Sequence, residues 1–127
     1  DLWVTMTLYC DERPFSEQNR QFAELVHASI LKALGDLGHD VKDRGISLDN
    51  SVPDPGQPPR HLILLGPQSD RIVRPSQMPG VLSEPVFISN DDEAAILADP
   101  KGIDALATAY ADAIDAYFAK NPVRAAE

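Results

Sequence analysis

Apolar positions along the chain change their spacing from one stretch to the next, and each spacing predicts an element. Leu2-Trp3-Val4-Thr5-Met6-Thr7-Leu8-Tyr9 is dense in residues that favour extended backbone, and so apolar a run predicts a strand inside a sheet. A long helix is predicted next, because Phe22, Leu25, Val26, Ile30, Ala33, Leu34 and Leu37 recur at spacings of three and four. Pro14 and Ser16 supply its start, with Ser16 as N-cap; Glu17 suits the first turn, and Gly35 and Gly38 stop it. His27 sits at the border of the apolar stripe and reads as a partly exposed surface group rather than a ligand.

From His39 to Arg60 the pattern dissolves. Gly45, Pro53, Pro55, Gly56, Pro58 and Pro59 punctuate a polar stretch that predicts a loop, of a length that tends to be functional or mobile. His61-Leu62-Ile63-Leu64-Leu65 predicts a buried strand stopped by Gly66-Pro67, and an irregular segment through Pro75 and Pro79 leads to a third strand within Val81–Asn90. Asn90 or Asp91 caps a short helix holding Ala94, Ala95, Ile96 and Leu97, and Pro100 ends it. Asp92 and Glu93 in its first turn are explained by the helix dipole without a metal. A last helix carries Ile103, Leu106, Ala107, Tyr110, Ala111, Ile114, Tyr117 and Phe118 as its apolar face, closed by Asn121-Pro122.

Strands alternating with amphipathic helices predict an α/β fold, helices packed on a small mixed sheet. Three strands are thin cover for two such helices, so the sheet is expected to be incomplete, with strands missing upstream. The 127 residues suffice for one modest core, and 43% hydrophobic with 24% charged residues is an ordinary globular mixture. A net charge of −9 with few, scattered basic residues excludes a nucleic-acid backbone as partner. No apolar run reaches membrane-spanning length, and the first residues do not form a signal peptide. Cys10 is alone, so no internal disulfide can form.

The chemistry concentrates at Glu84, a single ionisable residue inside the apolar run Val81–Asn90. Burial without a partner costs a carboxylate several kcal/mol, which predicts an exposed strand end or a cleft, where a general base operates. An outward-facing Glu at a sheet edge, beside Ser83 and followed by Pro85, accounts for the same residues without any activity. His27, His39 and His61 show no close pair of the kind local metal motifs use, so no zinc site is assigned from them. The glycines form no phosphate loop, the serines lack a nucleophile elbow, and Cys10 with a distant His is a weak protease signal.

Val81-Leu82-Ser83-Glu84-Pro85-Val86-Phe87-Ile88-Ser89-Asn90, followed by Asp92-Glu93, Ile96-Leu97 and a final helix ending Ala116-Tyr117-Phe118, resembles the C-terminal end of zinc-dependent N-acetylmuramoyl-L-alanine amidases. Upstream, the strand ending at Tyr9, Arg13-Pro14-Phe15, Phe22-Ala23-Glu24-Leu25-Val26 and Asp43-Arg44-Gly45-Ile46 look like the family's earlier elements in the same order. The resemblance implies hydrolysis of the amide between the muramyl lactyl group and L-alanine of the stem peptide by a zinc-activated water, with Glu84 as general acid and base. It implies also that the zinc ligands, two His and one Glu, belong to segments not found in this sequence. In an alternative register of the first strand Thr7 takes the place of a ligand His, and Thr is a poor zinc ligand.

On this resemblance residues 1–127 form a single domain or the C-terminal half of a catalytic domain, with 119–127 as a tail. The chain alone is expected to bind zinc weakly and to leave peptidoglycan intact. Peptidoglycan is the implied partner, at an extracellular, periplasmic or cell-wall location in a bacterium. Self-association is expected through an exposed sheet edge, the first strand or His61–Leu65. The competing classes are a degenerate amidase-like domain that binds peptidoglycan or a protein, and a small α/β interaction domain.

Overall fold

The computed structural model describes residues 3–51 and 53–124. Three strands, β1 (Thr5–Tyr9), β2 (Asp43–Leu48) and β3 (Leu82–Glu84), form one sheet in the order β2-β1-β3. β2 runs parallel to β1 and β3 antiparallel, so the sheet is mixed, as expected. Helix α1 (Ser16–Asp36) connects the parallel pair; α2 (Asp91–Ala98) and α3 (Pro100–Lys120) follow β3. Leu2, read as part of the first strand, lies outside the described residues.

Helix α1 buries Ala23, Val26, Ile30 and Leu34 at helical spacing, the last three in one core with Leu106, Ala109 and Ala113 of α3. The helices approach closely, and the Ser29 hydroxyl donates to the Ala109 carbonyl at 2.7 Å. That closeness corrects the expected face of α3. Gly102, Leu106, Ala109 and Ala113 are the residues buried, while Ile103, Ile114 and Phe118 remain substantially exposed. Ala109 and Ala113 beside Leu106 take the seam with α1, and Gly102 lies against Ile96 of α2.

The start of α1 also differs from expectation. Ser16 is its first helical residue, and Phe15 stands at the cap position without a side-chain bond. The stop is as read. Gly38, at φ +82°, lets His39 N–H bond to Leu34 O and Gly38 N–H to Gly35 O, the Schellman closure of a helix. Asn90 caps α2 by accepting from Glu93 N–H, and Asp99 closes α2 and caps α3, with Pro100 in the first turn. Helix α3 continues through Lys120.

Two segments fold differently from their sequence pattern. Asp43–Leu48, read as loop, is β2. Its register shifts after Thr5↔Asp43 to Met6↔Gly45; Gly45 takes φ +78°, and the Asp43 carboxylate accepts its N–H at 2.7 Å. A polar, Gly-containing bulge hides the strand from any pattern of alternation. His61–Leu65, read as a strand, is a turn, with Leu65 and Gly66 N–H both bonded to Leu62 O. It buries Leu65 and leaves Ile63 and Leu64 exposed.

The sheet's two faces are therefore covered differently. Thr7 meets His27 of α1 and Ser83 accepts from Tyr110 of α3, so this face lies under the helices. By strand alternation Met6, Leu8 and Cys10 point the other way, together with Leu82 and Glu84, which pair with Leu8 and Met6. The irregular segment from His61 to Gly80 is fastened on that side. Arg13 donates to the carbonyls of Leu65, Gly66 and Ser76, and Asn19 bridges Cys10 O and Gly80 N–H.

Candidate functional site

Glu84 ends β3 opposite Met6, half-buried, on the sheet face away from the helices. Its backbone surroundings are fixed from several sides. Thr5 donates its hydroxyl to Pro85 O at 2.8 Å, and Trp3 Nε1–H donates to Ser89 Oγ at 3.3 Å. Glu93, buried in the first turn of α2, accepts Phe87 N–H at 2.6 Å on one oxygen and faces His39 Nε2 at 3.2 Å on the other. The residues that follow Glu84 thus serve the position of the strand end rather than chemistry: Phe87 is held by its N–H, Ser89 by the indole, and Asn90 caps α2. Glu93 had an electrostatic explanation in sequence; its structural role is that of a bracket between α2, the strand end and the exit of α1.

A cavity of about 490 Å³ lies beyond this end of the sheet, lined by Trp3, His39, Lys42, Asn90 and Glu93 among others. Glu84 does not line it. Glu84 instead stands at the end of β3, on the sheet face away from the helices.

His27 is buried, contrary to its reading as a surface group. Nδ1 meets Thr7 Oγ1 at 3.2 Å and Nε2 meets Asp43 Oδ1 at 2.7 Å, so the ring ties α1 to both parallel strands. The hydrogen bond from His27 holds the Asp43 carboxyl below the usual range, aided by Gly45 N–H. An apolar stripe with a polar residue at its border cannot tell a solvated His from one whose partners arrive from distant strands.

A second group of reactive side chains forms at the other end of β1. Cys10 and Asp49 follow the two parallel strands directly, and Asp49 N–H bonds to Tyr9 O at 2.8 Å. His61 Nδ1 lies 2.8 Å from Asp49 Oδ1 and 3.6 Å from Cys10 Sγ, while Asp49 Oδ2 accepts Leu62 N–H at 2.8 Å. Cys10 and Asp49 are buried, and His61 is mostly so. Burial raises the Cys10 thiol above its ordinary value. For His61 burial pulls downward, but the bond to Asp49 and the charges of Asp49 and Glu12 prevail and raise it. No sequence spacing joins these three residues: the parallel register of β1 and β2 sets Cys10 beside Asp49, and the Asp49 carboxylate holds His61 and the Leu62 N–H.

Residues 5–116 match the family model described as N-acetylmuramoyl-L-alanine amidase, and the chain belongs to that family. A solved structure agrees. The catalytic domain of CwlV, an N-acetylmuramoyl-L-alanine amidase from Bacillus (Paenibacillus) polymyxa var. colistinus, superposes with a TM-score of 0.59 at 26% identity. The match covers 92% of this chain and 49% of that one, so the chain spans about half the length of its solved relative. Among proteins of curated function, none matches significantly. No helix among the described residues is long and apolar enough to cross a membrane.

Proposed function

We propose that this chain is the acid/base-bearing part of a peptidoglycan amidase domain, acting on the amide between the N-acetylmuramoyl lactyl group and L-alanine. The observation that carries the reading is Glu84: a half-buried carboxylate on a braced strand end, inside a segment that matches the amidase family over 112 residues (5–116). In amide hydrolysis a proton must leave the attacking water and reach the leaving nitrogen. A single carboxylate beside the scissile bond performs both transfers, as general base and then as general acid.

Among the described residues, no group of three or more His, Cys, Asp or Glu side chains that could hold the zinc implied by the resemblance includes Glu84. Among the described residues, one cluster of three or more His, Cys, Asp or Glu side chains could hold a metal, Cys10–Asp49–His61. Met6, the partner of Glu84, stands four residues before Cys10, which is about 13 Å along a strand. That cluster is too distant to activate a water that Glu84 can reach. Catalytic zinc in this reading is held by residues outside this chain, and Glu84 supplies proton transfer only.

The isolated chain is accordingly inert toward peptidoglycan, even with zinc added. A chimera that joins the first half of the solved relative's domain to residues 5–116 tests the reading, with release of stem peptide from purified wall as the readout. Activity in the chimera and none in the isolated chain is the expected result; an inert chimera that folds and holds zinc on the ligands of its first half would contradict it. The substrate places the protein outside the cytoplasmic membrane of a bacterium, in the periplasm, the wall or beyond.

A further inference from the structure

We propose that Cys10, Asp49 and His61 form a metal site for a thiophilic divalent cation of the zinc class, separate from the amide-hydrolysing centre. Three donor types that zinc accepts, thiolate, imidazole and carboxylate, converge with their ligand atoms all within 4.8 Å of one another. With Zn–S of about 2.3 Å and Zn–N of about 2.0–2.1 Å, a tetrahedral site requires a sulfur-to-nitrogen edge of about 3.6 Å. Cys10 Sγ and His61 Nδ1 stand 3.6 Å apart. The corresponding nitrogen-to-oxygen edge is about 3.3 Å, against 2.8 Å between His61 Nδ1 and Asp49 Oδ1. An opening of about 0.5 Å, from hydrogen-bond to ligand-ligand distance, admits the ion.

One ring nitrogen facing two partners argues the same way. Nδ1 can donate its proton to Asp49 or accept one from Cys10, but not both. A cation in that position satisfies all three groups at once. Binding displaces the thiol proton to solvent and leaves the ring proton on Nε2.

The surroundings are those of a built ligand set. His61 Nε2 lies 3.4 Å from Glu12 Oε1, the carboxylate that commonly orients a metal-binding imidazole through its second nitrogen. Asp49 is fixed by Leu62 N–H through the oxygen that does not face the ring. The site lies beyond the carboxyl ends of adjacent parallel strands, where α/β sheets place ligands. His61 and Asp49 border a surface cavity, so water can fill the fourth position. The bound ion would pin the segment between β2 and His61 to the end of β1.

Cobalt titration of the metal-stripped chain, followed by optical absorption, tests the proposal. One cobalt per chain should bind with thiolate-to-cobalt charge-transfer absorption that added zinc bleaches. Cys10→Ser should abolish that absorption, and Glu12→Gln, at an exposed position, should weaken binding about ten- to a hundredfold. Glu84→Gln should leave it unchanged. A folded wild-type chain that shows no charge transfer in excess cobalt overturns the site, whatever the variants do. So does a charge-transfer band whose affinity is the same in Glu12→Gln and His61→Gln as in the wild type. Should Cys10→Ser fail to fold, the wild-type spectrum and Glu12→Gln decide alone.

Discussion

Asp43 joins helix and sheet through one hydrogen bond, and its position in the bulge of β2 exposes it to acid. Its folded carboxyl titrates below the unfolded value of about 3.9. The contribution to stability is therefore complete above that value and is lost as pH falls through the lower, folded one. Thermal melts of wild type and Asp43→Asn should differ by a constant amount above about pH 5 and converge below about pH 4. With about half the side chain exposed, the difference should not exceed about 1 kcal/mol. A gap that widens in acid would show that His27 does not hold this carboxylate. Neither His27 nor Asp49 was legible in sequence, because the partners that define them lie on other elements. Glu84 was legible as a candidate because it interrupts an apolar run.

The elements with strong local signals, α1, the capped α2, α3 and the strand ending in Glu84, could be read from the chain. Those that tertiary contacts impose could not. β2 carries its glycine in the bulge, and the apolar run at His61–Leu65 loses its strand because Asp49 takes the Leu62 N–H and the chain turns. Gly102 is a further case. A Cβ there would lie 1.9 Å from the Ile96 carbonyl oxygen, so α3 can cross α2 only with glycine at this place. Gly102→Ala should destabilise by about 1–3 kcal/mol in denaturant melts, despite alanine's better helix propensity. A neutral or stabilising result would mean that the helices separate freely. Arg13 acts over a longer span. Arg13→Ala leaves the carbonyls of Leu65, Gly66 and Ser76 without their donor, and amide exchange should accelerate across His61–Gly80 before α1 and α3 respond. Uniform acceleration throughout the chain would contradict a local fastening.

At the scale of the molecule, the sheet order corrects the expected sticky edge. β1 is central and paired on both sides, and His61–Leu65 is no strand, so the open edges are those of β2 and β3. β3 is three residues long and β2 begins with two exposed residues, Asp43 and Arg44. Short and charged edges resist pairing, yet two open edges beside a sheet of three strands still offer backbone to another chain. We expect weak self-association, visible as a concentration-dependent sedimentation coefficient and lost when Ile46→Pro, at a position whose N–H faces away from β1 by alternation from Asp49, blocks the β2 edge. A monomer across the whole concentration range would show that the three strands suffice. The central claim, however, is that Glu84 moves the proton. In the chimeric domain, Glu84→Gln should leave fold and zinc content intact while lowering turnover about a hundredfold or more. A folded, zinc-loaded Glu84→Gln domain that keeps near-normal turnover would make Glu84 a structural residue and contradict the account.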